Sequence, residues 1–214
     1  MKVRTAQPLS RSDRLAELGL TEDQLRESIF AGELHRRRCT KNHPPSYAGI
    51  GAWAETVCRL GEIKKEEGWS RRDPSNLSLV VSPDGAMAIA VATGDYQTGR
   101  ADGPEPRTKY PKGSTVAEAV EENHVQFELF ETGRKKKAQR EPSALTWILL
   151  VTRDSDEIRS ELSLPMKIDE EGFIYAWKER ILLESHALQL GQHERLEPTE
   201  EINIDVTPIV PPGD

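Results

Sequence analysis

Cysteine is scarce in this chain, whose 214 residues include only Cys39 and Cys58. The sequence therefore lacks the paired-cysteine pattern of a disulfide-stapled secreted domain, and we expect both thiols to be free. No apolar run approaches the roughly 18 residues that a membrane-spanning helix needs. The charged N-terminus has no apolar core of the kind found in signal peptides. These absences predict a cytoplasmic protein that does not associate with membranes.

Cofactor and nucleophile motifs are absent as well. The chain contains neither the phosphate-binding G-x-x-x-x-G-K-[ST] pattern nor a G-x-G-x-x-G run after a strand. It also lacks the G-x-S-x-G pattern, and its five histidines have no evident nucleophile partner. We therefore predict no cofactor, name no catalytic residue and lean toward a protein that is not an enzyme.

A metal site is not predicted, although His35, Cys39 and His43 recur at four-residue intervals. That spacing would put them on one helix face, and nitrogen and sulfur ligands suit zinc. Pro44 follows directly, however, and it disfavours helical geometry at the residue before it. No Cys-x-x-Cys pair accompanies the three residues.

The clearest structural signal is a β-hairpin over residues 77–95. Two apolar, β-prone runs flank Ser82-Pro83-Asp84-Gly85. Proline presets φ, aspartate can bond its own backbone and glycine accepts positive φ, so these four residues favour a tight turn.

Helical patterns precede this hairpin. A short helix is expected over 13–20, and Thr21 begins a TEDQ capping box for a second helix that ends near 36–38, where cations favour the helix pole. Leucines and other apolar residues of that helix form one predicted stripe, namely Leu25, Ile29, Phe30 and Leu34. A third helix is predicted over 50–67.

The second half mixes helices and strands. We predict a helix over 114–130, a buried strand over 145–152, a short acidic helix over 154–162 and an edge strand near 202–210. A second hairpin is expected over 166–183, with its end turning helical beyond Trp177. The predicted fold class is α+β, with N-terminal helices packed on a mainly antiparallel sheet. A single domain over 1–214 is predicted, with a long polar loop (94–114) and a basic linker (133–143).

Charge is distributed unevenly around the net value of −7. Residues 34–72 hold nine bases against four acids, and 134–140 hold five bases and no acid. Residues 154–214 reverse this balance, with fifteen acids against five bases. Such polarity indicates either an exposed surface for an acidic partner or two parts of the chain that face each other.

The candidate binding residues are cations of the loop and the linker. Glycines, two tyrosines and basic side chains in the loop favour phosphate or partner contacts, and the linker adds a run of lysines. The candidates are Arg100, Arg107, Lys109, Lys112, Lys135, Lys136 and Lys137.

The predicted function is that of a non-catalytic binding or accessory protein of bacterial type that docks on a protein partner. The basic residues would contact that partner or a nucleic acid in the same complex. Two alternatives stay open. One is a metal-dependent nuclease or phosphoesterase that uses Asp95 and the acidic group at 154–157, because clustered carboxylates after a strand suit hard cations. The other is an acidic C-terminal third that mimics nucleic acid.

Overall fold

The fold is α+β, with N-terminal helices followed by a mostly antiparallel sheet, as the sequence predicts. The computed structural model describes residues 10–132 and 144–188. The basic linker, with Lys135, Lys136 and Lys137, and the predicted edge strand at 202–210 lie outside the described residues. The helices are α1 (Arg11–Glu17), α2 (Glu22–Arg38), α3 (Tyr47–Lys65) and α4 (Ser114–Thr132), with a one-turn 3-10 helix at Pro74–Asn76. The strands are β1 (Ser70–Arg72), β2 (Leu79–Val81), β3 (Met87–Thr93), β4 (Leu145–Arg153), β5 (Glu157–Ile168), β6 (Ile174–Leu182) and β7 (His186–Ala187).

The strands lie in the order β1-β2-β3-β4-β5-β6, and β7 pairs with the start of β5. Every neighbouring pair is antiparallel except β3 and β4, which run parallel from Met87↔Leu145 to Thr93↔Val151. A parallel pair needs a long crossover, and the loop at 94–113 together with α4 supplies it. The C-terminal ends of β3 and β4 therefore meet at one edge of the sheet.

Two local predictions from the sequence are confirmed in atomic detail. The Thr21 hydroxyl accepts from the Gln24 amide at 3.2 Å, and the Gln24 side chain accepts from the Thr21 amide at 3.1 Å, which completes the capping box. In the hairpin turn, the Asp84 carboxylate accepts from the Ala86 amide at 3.0 Å and Gly85 has a φ of 70°. Both devices satisfy free backbone groups locally, which is why the sequence specifies them.

The core lies on both faces of the sheet. On one face, α1, α2 and α3 contribute Leu15, Leu25 and Leu60 to a cluster with Trp147 and Leu149. Alternate residues of β4, Ile148 and Leu150, point to the other face and form a second cluster with residues of α4 and β6. The predicted stripe on α2 is only half buried: Leu25 and Ile29 are in the core, whereas Phe30 and Leu34 are exposed.

Residues 157–162 belong to a strand, so the acidic helix predicted over 154–162 is wrong. Residues 157–168 are β5, which is almost entirely buried. Leu162 packs in the first cluster, while the neighbouring Glu161 and Arg159 are buried on the opposite face and bonded there. Because these polar residues are buried instead of exposed, the sequence does not show the apolar–polar alternation that is typical of a half-buried strand. The predicted helix beyond Trp177 is likewise wrong, since β6 continues in register with β5 to Leu182.

The contact between α2 and α3 depends on Gly32. A Cβ atom at this position would collide with the Ala52 carbonyl oxygen and the Thr56 hydroxyl of α3. We expect Gly32→Ala to lower the free energy of unfolding by about 1–3 kcal/mol, because the two helices must separate. Gly61→Ala is the matched control: nothing lies within 4 Å of its added methyl group, and we expect a gain of about 0.5–1 kcal/mol from reduced backbone entropy. Urea denaturation of both variants tests the contrast, and a loss of equal size at both positions would contradict it.

Within the described part of the chain, no helix is long and apolar enough to cross a membrane.

Candidate anion-binding site

Three arginines gather around one buried carboxylate at the edge where β3 and β4 end. Glu33 of α2 is 4% exposed. Its Oε1 accepts from Arg37 Nε at 3.0 Å, and its Oε2 accepts from Arg153 Nε at 3.1 Å. Arg153 is the last residue of β4, so this carboxylate ties the C-terminal end of α2 to the sheet. We call Arg36, Arg37 and Arg153 the arginine cluster.

Most guanidinium donors of the cluster have no partner among the residues that the structure describes. The bonds to Glu33 use Nε of Arg37 and Nε of Arg153, with one further contact of 3.5 Å from Arg153 Nη2. The side chains of these two arginines are 44% and 40% exposed. A guanidinium has five N–H donors in a planar fork, so several donors per side chain still face solvent.

Arg36 is the least satisfied member of the cluster. Its half-buried guanidinium makes no hydrogen bond or ion pair with any residue in 10–132 or 144–188. Burial, and then repulsion from Arg153, lowers the pKa of Arg36, which outweighs the opposing effect of Glu33. A desolvated charge without a partner is costly, and such groups concentrate at functional sites.

The Arg36 guanidinium lies against the first turn of α3. A Cβ atom at Gly49 would be 3.8 Å from Arg36 Nη2. This first turn contains no acidic residue, and Ser46 makes no side-chain capping bond. The positive end of the helix dipole therefore adds to the field of the arginines rather than being offset.

Exposed aromatic and aliphatic side chains lie in the first turn of α3, against which the Arg36 guanidinium lies, and in the loop after β3. Tyr47 and Ile50 flank Gly49 along the chain and are 42% and 60% exposed. His43 stacks on the Tyr47 ring at 4.9 Å with an interplanar angle of 9°. Tyr110, from the loop after β3, is close enough to influence the pKa of Arg36 and is 42% exposed. We call Tyr47, Ile50 and Tyr110 the exposed rim.

Only part of the predicted basic loop adjoins this site. Lys109 is exposed beside Tyr110, with its Nζ 5.4 Å from the tyrosine ring centroid. Arg107 instead forms an ion pair with Asp169, and its guanidinium carbon lies 5.1 Å from the Phe173 ring centroid. Burial lowers the pKa of Lys112. The Arg107 guanidinium is thus bonded within the fold, and the Lys112 side chain is half-buried.

Arg100 is exposed in the same loop, and its carbonyl oxygen accepts from Arg180 Nη2 at 3.1 Å. That contact belongs to a buried network around Glu161, which is fully buried. Its carboxylate accepts from the Gly99 amide at 2.8 Å, from Arg180 Nη2 at 2.6 Å and from the Ser163 hydroxyl at 2.7 Å. The network holds the loop on the sheet.

Further bonds fix the remainder of the loop. Both carboxylate oxygens of Asp95 accept from backbone amides, those of Gln97 and Arg107, each at 3.0 Å. Trp177 Nε1 donates to the Pro106 carbonyl at 2.8 Å. The length of this loop thus reflects extensive packing against the second face of the sheet.

Many charges that the sequence separates meet in the fold. Arg11 pairs with Glu184 at 2.9 Å, and Arg14 pairs with Glu179 at 2.6 Å. These contacts, like that of Arg107, join bases of the first half of the chain to acids of the second. They show that part of the acidic excess of residues 154–214 is compensated within the fold by Arg11, Arg14 and Arg107, which lie outside the basic segments 34–72 and 134–140.

The carboxylates of the nuclease alternative are engaged in the fold. Asp95 caps loop amides, and Arg159 lies 3.8 Å from Asp154 and 3.1 Å from Glu157. Among the described residues, no group of three or more His, Cys, Asp and Glu side chains is placed to hold a metal ion. His43 lies in the turn between α2 and α3, outside both helices, and its Nδ1 accepts from the Thr40 amide at 3.0 Å.

Sequence reasoning identified Arg36 and Arg37 only as the basic end of a helix and overlooked Arg153. One signal was available: Arg153 ends a strongly buried strand, and ligands favour the C-terminal ends of parallel strands. Using that signal required knowing that β3 and β4 run parallel.

Comparisons with models of protein families, with curated proteins and with solved structures find no match to this chain.

The arrangement of the arginine cluster predicts opposite changes in the free energy of unfolding for variants of Glu33 and of Arg36. We expect Glu33→Gln to lower the free energy of unfolding by about 1.5–3 kcal/mol, because two charge-assisted bonds are lost and the arginines repel. Arg36→Gln should be neutral or raise it by about 0.5–1 kcal/mol, because the unpaired charge is removed. Chemical denaturation of both variants measures these values. A loss above about 1 kcal/mol for Arg36→Gln would mean that Arg36 has a stabilising partner.

Proposed function

We propose that this protein is a non-catalytic binding protein that docks on a protein partner through the arginine cluster and its exposed rim. The observation that carries the proposal is the set of guanidinium donors at Arg36, Arg37 and Arg153 that have no partner among residues 10–132 and 144–188, with Arg37 and Arg153 held by the buried Glu33. A fixed group of cations that these parts of the chain leave unsatisfied is suited to an anionic group on another molecule.

The surroundings of the cluster favour a protein rather than a nucleic-acid partner. Tyrosine, other large apolar side chains and arginine are the residue types enriched at protein interfaces. The exposed rim supplies two tyrosines and an isoleucine beside the arginines. A nucleic-acid backbone instead rewards a continuous track of cations, and in the loop the Arg107 guanidinium is already paired with Asp169.

Site-specific photo-crosslinking tests this proposal. A photoreactive residue is placed at Ile50, on the exposed rim, or at Glu121, an exposed position of α4, and the full chain is irradiated in lysate of its native host. We expect a discrete protein adduct from position 50 and none from position 121. The same adduct should disappear when Arg36→Gln and Arg153→Gln are introduced together, and it should persist with the control change Arg59→Gln, which alters a paired arginine of α3.

Two results would contradict the proposal. One is an adduct from position 50 that is unchanged by loss of both cluster arginines. The other is an adduct that is destroyed by nuclease and resists protease, which would assign the surface to nucleic acid.

A further inference from the structure

We infer that the arginine cluster recognises a phosphate group carried by a side chain of the partner protein. This inference rests on the proposed docking function and names the chemical group that the cluster selects. It goes beyond a general preference for acidic surfaces, because the geometry of the cluster distinguishes a compact dianion from a carboxylate.

The net charge of the cluster favours a phosphate. Arg37 and Arg153 bond a single carboxylate, that of Glu33, and the charges of Glu33 and Arg153 both influence the pKa of the nearby Arg36, so the cluster keeps a formal charge of about +2 in a partly buried setting. A phosphate monoester carries about −1.5 to −2 near neutral pH, whereas a carboxylate carries −1. A phosphate would neutralise the cluster, and a carboxylate would leave it half compensated.

The arrangement of donors also favours phosphate. Glu33 accepts from Nε of Arg37 and from Nε of Arg153, with one longer contact of 3.5 Å from Arg153 Nη2, which holds both guanidinium planes and leaves the remaining Nη donors without a partner among the described residues. Arg36 adds a third guanidinium with all its donors unused among the described residues. Phosphate offers three terminal oxygens and can accept from several arginine forks at once, which a carboxylate with two oxygens cannot match.

The cluster is also compact. Arg37 and Arg153 share one carboxylate, Arg36 is one residue from Arg37, and the loop cation Arg107 is paired with Asp169. A phosphodiester backbone carries one charge per phosphate and spreads its charges along a strand. A single phosphorylated side chain fits the observed arrangement better.

Binding measurements with defined probes test the inference. The probes are a short peptide of glycine and alanine with one central phosphoserine, the same peptide with serine or glutamate instead, inorganic phosphate, and a single-stranded oligothymidylate. Affinity for the full chain is measured by fluorescence anisotropy or calorimetry at low salt. We expect the phosphoserine peptide to bind at least about tenfold more tightly than the glutamate peptide, with no measurable binding of the serine peptide. Inorganic phosphate should compete.

Substitutions within and outside the arginine cluster test whether the phosphoserine peptide binds there. Arg36→Gln or Arg153→Gln should weaken phosphoserine-peptide binding by about tenfold or more, and Arg36→Lys, which keeps the charge but loses the fork, by a smaller factor. Arg26→Gln is the matched control, because Arg26 is an exposed arginine of the same helix that pairs with Asp23 at 3.6 Å. It should leave the affinity unchanged. Denaturation curves of each variant confirm that it is folded.

The outcomes separate this inference from the proposed function. Equal, cluster-dependent binding of the glutamate and phosphoserine peptides would overturn phosphate selectivity while leaving acidic docking intact. Oligothymidylate binding that is as tight and lost in the same variants would overturn it in favour of nucleic acid. An Arg36-dependent protein adduct without any phosphoserine-peptide binding would also overturn the phosphate inference alone.

Discussion

Replacing Glu161 with alanine is expected to lower the free energy of unfolding by about 3–5 kcal/mol. The change strands the Arg180 guanidinium, whose side chain is only 17% exposed, and it leaves the Gly99 amide without its acceptor. Removing one member of a buried ion pair is far more costly than the net value of the pair, because the remaining charge is desolvated without compensation. Thermal or urea unfolding of the purified variant measures the loss.

Two companion variants make this prediction specific. Glu170→Ala changes an exposed carboxylate in the turn between β5 and β6 and should leave stability within about 0.5 kcal/mol of the parent. The double change Glu161→Leu with Arg180→Met should recover part of the loss, since both partners are then apolar. A cost below about 1 kcal/mol for Glu161→Ala would show that the network around the loop is not formed.

Trp147→Ala is expected to cost about 3–5 kcal/mol, because a large, well-packed side chain is removed from the core. Trp147 is 2% exposed and joins the helices to the sheet, with the Arg14 guanidinium carbon 5.9 Å from its ring centroid. Trp53→Ala should cost no more than about 1.5 kcal/mol. Trp53 is 38% exposed, and its principal contact is a bond of 3.0 Å from Nε1 to the Val91 carbonyl. Denaturation of the two variants under identical conditions checks this, and similar losses would contradict the placement of the two rings.

The helices and turns were predictable where a few neighbouring residues satisfy one another. The Thr21–Gln24 capping box and the turn at Asp84 and Gly85 are examples, since all their partners lie within five positions. Strand β5 was not predictable in the same way. Its buried Glu161 is stabilised by Arg180, nineteen positions away and on the neighbouring strand, so the local sequence shows only a charged segment.

In the candidate site, too, local features could be predicted from the sequence and long-range contacts could not. A basic end of α2 could be read from the sequence, and so could a polar loop between β3 and α4. The interaction that builds the site joins Glu33 to Arg153 across 120 positions and exists only because β4 ends beside α2. Counting charges along the chain identified Arg107 and Lys112 as binding residues. The structure pairs Arg107 with Asp169 and half-buries Lys112, and a binding role for either residue stays a prediction. The predictions for Lys135, Lys136 and Lys137 fall outside the described residues.

Anion binding by the arginine cluster is tested most directly by an NMR titration of arginine side-chain Nε–H signals with inorganic phosphate. We expect saturable shifts of the signals of Arg36, Arg37 and Arg153 at a common dissociation constant. The signals of Arg26 and Arg59, which are paired with acidic residues elsewhere on the same helices, should stay in place. Shifts of similar size across all these arginines, or none at the three cluster residues, would contradict the claim that this edge of the sheet is an anion-binding site.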